Sequence, residues 1–85
     1  MKRVLIVNDQ EMTRRVINLA LRQIPDVIVI GEAINGWDAV DFVSTDQPDV
    51  VVMDFRMPFM DGLEATERIT NAWPNVKVVM HSMTG

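Results

Sequence analysis

The sequence predicts an α/β domain with a parallel sheet, four strands and three helices in the order βαβαβαβ. Two observations predict it. Short β-branched runs alternate with longer amphipathic stretches, the pattern of βαβ units. The strand runs are also continuously apolar rather than alternating, which suits strands covered on both faces. They are Arg3–Val7, Val27–Gly31, Val50–Asp54 and Val76–Ser82.

The helices follow from spacing and from their stops. In Gln10–Ile24 the residues Met12, Val16, Leu19, Ala20 and Ile24 recur at intervals of three and four, predicting one inward stripe that Pro25 ends. Gly36–Thr45 is expected to turn Ala39, Val40 and Val43 inward before Gln47-Pro48-Asp49. Leu63–Ala72 is expected to do the same with Leu63, Thr66, Ile69 and Ala72 or Trp73, and Trp73-Pro74-Asn75 closes it.

Composition removes several functions. A chain of 85 residues that is 48% hydrophobic suits one domain with a thin core. The absence of cysteine removes disulfides, thiolate chemistry and Cys-based metal sites. The apolar runs fall far short of the roughly 20 residues that span a bilayer, and no export signal precedes them, so no membrane contact and a cytoplasmic location are expected. With 8 basic and 12 acidic residues the net charge is −4, and no direct binding of nucleic acid is expected.

The residues that carry chemistry sit where strands stop. Asp9 follows the first strand after Asn8, and Asp54 ends the third. In a parallel sheet these carboxyl ends share one edge, where α/β proteins place their ligands. Two carboxylates brought close repel each other and tend to hold a proton or a divalent cation, and a hard ion such as Mg²⁺ suits oxygen donors. A carboxylate at such a place can also act as a nucleophile toward phosphorus. Asp54 is the candidate nucleophile because it ends a central strand; Asp9, opening a loop, looks like a metal ligand.

Val4-Leu5-Ile6-Val7-Asn8-Asp9, Gly31-Glu32-Ala33, Asn35-Gly36 and the stretch Asp49-Val50-Val51-Val52-Met53-Asp54-Phe55-Arg56-Met57-Pro58-Phe59-Met60-Asp61-Gly62 closely resemble the receiver domains of bacterial two-component response regulators. The resemblance runs the length of the chain. It implies a flavodoxin-like doubly wound sheet, in the family's strand order 2-1-3-4-5, here shortened to four strands and three helices. It also implies that Asp54 accepts a phosphoryl group from a histidine kinase, and that Asp9, Asp54 and the backbone carbonyl of Arg56 hold Mg²⁺. Asn8 stands where the family usually has a second acid and would reach the metal through water, with weaker binding as the consequence. Ser82 takes the place of the switch hydroxyl.

Residues 1–85 are accordingly expected to form one receiver unit truncated after the fourth strand, without the family's fifth-strand lysine. Lys2 and Lys77 stand at the amino ends of their strands and cannot replace it, so phosphotransfer is expected to be slow. The fourth strand would leave an open edge, and a homodimer pairing through that edge is expected. The alternative function is a self-associating fragment impaired in phosphotransfer. An enzyme of the aspartyl-phosphatase kind is not expected, because that chemistry wants a second acid two residues after the nucleophile and Arg56 stands there. His81 is expected to be packed or at an interface, Trp37 to make a surface contact at a helix start and Trp73 to plug the core. Met57 and Met60 should shape the loop around Pro58. Arg14-Arg15 reads as a solvated face, although in relatives that helix meets the kinase's phosphotransfer domain.

Overall fold

The computed structural model describes residues 1–81. Seven elements follow one another: β1 (Lys2–Val7), α1 (Glu11–Arg22), β2 (Val27–Ala33), α2 (Gly36–Asp46), β3 (Val50–Asp54), α3 (Gly62–Ala72) and β4 (Lys77–His81). All are the expected elements, with no end displaced by more than two residues. β2 runs on to Ala33, and α1 stops at Arg22, ahead of Pro25, because the residue before a proline is pushed out of the helical region.

The sheet is parallel with order β2-β1-β3-β4, which matches the first four strands of the order implied by the resemblance. Val4 pairs with Val50 and Val7 with Met53, and on the other side of β3 Val51 pairs with Val78 and Asp54 with His81. Strand alternation divides the sheet into two faces. Leu5, Val7, Val51 and Met53 face α2 and α3, where Ala39, Val43, Ala65 and Ile69 close the main core. Val4 and Ile6, also buried, alternate onto the face that α1 covers.

Two helices present different faces from those expected. Met12, Val16, Leu19 and Ile24 are large apolar residues left exposed, Ala20 is exposed too, and α1 contains no fully buried residue. Ile17 and Leu21 are the half-buried apolar side chains that α1 turns toward the sheet. The reason is that α1 is apolar over a wide arc but packs over β1 and β2 alone, so only one flank of the arc finds a surface. In α3 the buried row is Gly62, Ala65 and Ile69, Thr66 is half-buried, and Leu63 and Ala72 are exposed. Trp73 packs against the core as expected, and Trp37, at the start of α2, is half exposed with the Arg68 guanidinium 4.9 Å above its ring.

Side-chain caps fix two helix starts. Asn35 accepts from the Asp38 N–H at 2.8 Å and Asp61 from the Glu64 N–H at 2.9 Å.

The buried and the exposed apolar positions should respond to substitution to very different extents. Ile69→Ala is expected to lower unfolding free energy by about 3 kcal/mol in urea titrations, as for other buried large-to-small changes. Val16→Ser, at an exposed position, should change it by less than about 0.5 kcal/mol.

Candidate functional site

Register brings the candidate residues to one edge. Because Val7 lies beside Met53, the next row places Asn8 beside Asp54, and Asp54 in turn lies beside His81. Neighbouring strands are about 4.8 Å apart, and Val7 and Met53 both face the main core, so the row Asn8, Asp54, His81 alternates onto the α1 face. Asp9 is one residue further, in the loop that leads into α1.

The environments of these residues differ. Asn8 is only 1% exposed. Its N–H donates to the Ala33 carbonyl at 3.1 Å, its own carbonyl accepts from Arg14 at 2.9 Å, and its side-chain Oδ1 accepts from the Gln10 N–H at 2.9 Å. One lone pair of that oxygen is therefore engaged in the turn into α1. Asp9 is exposed, and no hydrogen bond to its carboxylate occurs among the described residues. Asp54 is half-buried, with Oδ1 accepting from the Arg56 N–H at 3.4 Å, a long contact and the one its carboxylate makes among the described residues. The Nε2 of His81 is buried without a hydrogen-bond partner among the described residues, so this histidine is packed, as expected.

The loop after Asp54 is clamped from below. A Cβ on Gly62 would overlap the Asp54 carbonyl oxygen, and the Gly62 N–H donates to the Phe55 carbonyl at 2.9 Å. A Cβ on Gly36 would lie 2.6 Å from the Met60 carbonyl, so α2 seats closely on the same loop through buried Met60. Phe59 lies between these anchors at φ 70°, a left-handed conformation that disfavours bulky residues, and is 87% exposed. Met60 is thus a buried loop anchor, and Met57 packs against the core more loosely.

The carboxylate of Asp54 at this edge and that of Asp9 one residue beyond it are hard oxygen donors. Among the described residues no group of three or more His, Cys, Asp or Glu gathers at one point. A pair of carboxylates completed by a carbonyl and waters is how Mg²⁺ is commonly held, whereas Ca²⁺ or Zn²⁺ takes a fuller protein cage. The donor set fits Mg²⁺.

The family model for the response regulator receiver domain matches residues 4–85. The chain belongs to this family. A protein-glutamate methylesterase/protein-glutamine glutaminase of Methanosarcina acetivorans is 44% identical over 80 residues, 94% of this chain and 23% of that protein. The response regulator protein VraR of Staphylococcus saprophyticus is 44% identical over 78 residues, 92% of this chain and 37% of that protein. Among solved structures, the response regulator domain of Thermotoga maritima CheB superposes with a TM-score of 0.91 at 35% identity, over 96% of this chain and 60% of that one. A CheX-CheY-BeF3-Mg²⁺ complex from Borrelia burgdorferi contains a chain with TM-score 0.89 and 29% identity, covering 99% of this chain and 63% of that one.

The receiver thus spans about a quarter to a third of these curated relatives, and the esterase activity in the first name is that of a protein about four times as long. Lys2 and Lys77 sit at the first register positions of their strands, away from the carboxyl edge, as expected. Ser82 lies outside the described residues. No described helix is long and apolar enough to cross a membrane.

Arg14 corrects an expectation. Arg15 is solvated, with 68% of its side chain exposed, but Arg14 is only 15% exposed and is bound to Glu32 at 2.8 Å as well as to the Asn8 carbonyl. Its signal in the sequence was an arginine five residues after Asp9 on the first helix, with Glu32 at the end of the second strand. Spacing alone does not reveal that the two meet. Asp61 and Gly62 belong to the same group of supporting residues, and the Asp-Gly pair before an apolar helix was their visible signature.

Gly62→Ala is expected to destabilise the receiver by roughly 1–3 kcal/mol, since the added methyl must push α3 off the Asp54 carbonyl. Phe59→Gly should leave it at least as stable, because it removes left-handed strain and exposes no core. Urea midpoints for the two variants check both outcomes.

Proposed function

We propose that this receiver accepts a phosphoryl group on Asp54 from the phosphohistidine of a histidine kinase, in the cytoplasm, as the input step of a two-component system. The observation that carries the reading is a half-exposed, weakly engaged carboxylate at the carboxyl edge of a central parallel strand. In the transfer an Asp54 carboxylate oxygen attacks phosphorus, the P–N bond to the donor imidazole breaks, and an acyl phosphate forms. Asp9, Asp54 and the Arg56 carbonyl would hold Mg²⁺, with Asn8 contributing through water by its remaining lone pair. Bound there, the ion supplies positive charge against the oxygens of the transferring group. Asp9 also brings its own exposed carboxylate to the mouth of the site, and the clamp through Gly62 keeps the Asp54 backbone still while its side chain reacts. Ser82 would donate its hydroxyl to the added phosphoryl oxygen. The exposed Met12, Val16 and Leu19 line the outer flank of α1 next to Asp9 and suit docking of the kinase's phosphotransfer domain.

Incubation with a small acyl phosphate and Mg²⁺, followed by intact-mass measurement, should show a single phosphoryl adduct on the native chain and none on Asp54→Asn. An unmodified native chain would remove the reading.

A second reading, self-association of the receiver, is favoured by one feature. β4 is an edge of the sheet, and Val79 on it is 54% exposed. Light scattering at micromolar concentration should then give the mass of a homodimer, and a folded monomer would refute it.

A further inference from the structure

We infer that Arg14 is a positioning residue for the metal site, acting through the Asn8 carbonyl; the inference rests on the Mg²⁺ reading of Asp9 and Asp54. The Arg14 side chain leaves α1 and is almost covered. Its Nε donates to Glu32 Oε1 at 2.8 Å and its NH1 to the Asn8 carbonyl at 2.9 Å. Glu32 is held in turn, since Asn18 Nδ2 donates to its other oxygen at 3.3 Å and Arg22 Nε donates to Asn18 Oδ1 at 2.9 Å. The guanidinium therefore spans from a braced carboxylate on β2 to the last carbonyl before Asp9.

That carbonyl matters because the Asn8 oxygen and the Asp9 nitrogen belong to one planar peptide group. Holding the oxygen fixes the plane, and the plane sets the direction in which Asp9 leaves the strand. The Asn8 N–H is already tied to Ala33, so the peptide groups on both sides of the Asn8 Cα are anchored. Asp9 itself has no side-chain hydrogen bond among the described residues, so its aim depends on the backbone beneath it. A planar fork serves two acceptors at fixed angles, which a lysine ammonium on a flexible stem cannot reproduce.

A simple charge effect has the opposite sign. Removing a cation near a Mg²⁺ site would, by Coulomb's law alone, tighten the ion. Loss of positioning would weaken it. The experiment compares the native chain with Arg14→Met, Arg14→Lys, Glu32→Gln and, as the control for charge, Arg15→Met, whose side chain is solvated. Mg²⁺ affinity is read by titration calorimetry, and exchange of the Gln10 amide hydrogen is read by NMR in the metal-free chain. Arg14→Met is expected to weaken Mg²⁺ by roughly 10-fold or more, the usual range for residues that orient metal ligands. It should also speed Gln10 exchange while leaving the Val51 amide unchanged. Arg14→Lys and Glu32→Gln should fall between it and the native chain, and they carry the test if Arg14→Met does not fold. Arg15→Met should bind as tightly as native or slightly tighter.

Equal or tighter Mg²⁺ binding by a folded Arg14→Met, or by both milder variants, overturns the positioning role while leaving the phosphoacceptor reading intact. So does weakening that Arg15→Met matches. A native chain that takes up no Mg²⁺ overturns the parent reading, and this one with it.

Discussion

The carboxyl edge exists because β1, β3 and β4 are parallel neighbours in a fixed register, Val7 beside Met53 and Asp54 beside His81. That register is enforced by burial on both faces. Leu5, Val7, Val51 and Met53 fill the core under α2 and α3, while Ile6 is sealed on the other side. A slip of one residue would exchange the faces of a whole strand, so the side-chain rows cannot drift. Asn8 and Asp54 are adjacent as a by-product of packing residues that do no chemistry.

Around that edge, support and reactivity are kept in different atoms. The Asp54 backbone is confined by Gly62 beneath it, and the loop that follows is held by Met60 against Gly36 and by the Asp61 cap of α3. Among the described residues the Asp54 carboxylate has one long contact. On the β1 side the same division recurs: Asn8 is buried and tied at its N–H, its carbonyl and its side-chain oxygen, and the exposed Asp9 carboxylate next to it accepts no hydrogen bond among the described residues. A rigid frame around unengaged oxygens suits a site whose ligands arrive from solution, since little ordering is then required when they bind.

Helix α1 serves both sides of its own arc. Its inner flank presents Arg14, Ile17 and Leu21 to β1 and β2, and its outer flank leaves Met12, Val16 and Leu19 in water. The inner flank ties the helix to the strand end that carries the site. The outer flank is a row of apolar side chains adjoining that strand end, a composition that marks surfaces used for contact with other proteins. The two flanks share one helix, which places the apolar row at a fixed distance from the loop that carries Asp9.

By itself the sequence determined the element order, the parallel sheet and the family, because β-branched runs, helical spacing and the Asp54–Gly62 stretch are local patterns that survive without knowledge of neighbours. It also determined which acids end strands, since strand ends are marked by the switch from apolar to polar residues. Only the tertiary structure decided which flank of α1 is covered, because an apolar arc wider than the surface beneath it has no preferred side until the sheet is built. The same holds for Arg14. Arginine beside arginine on a helix reads as solvated, and its pairing with Glu32 and Asn8 joins residues whose nearness is created by β1 and β2 lying side by side. Contacts of this kind are written in no single segment, so the chain must fold before they exist.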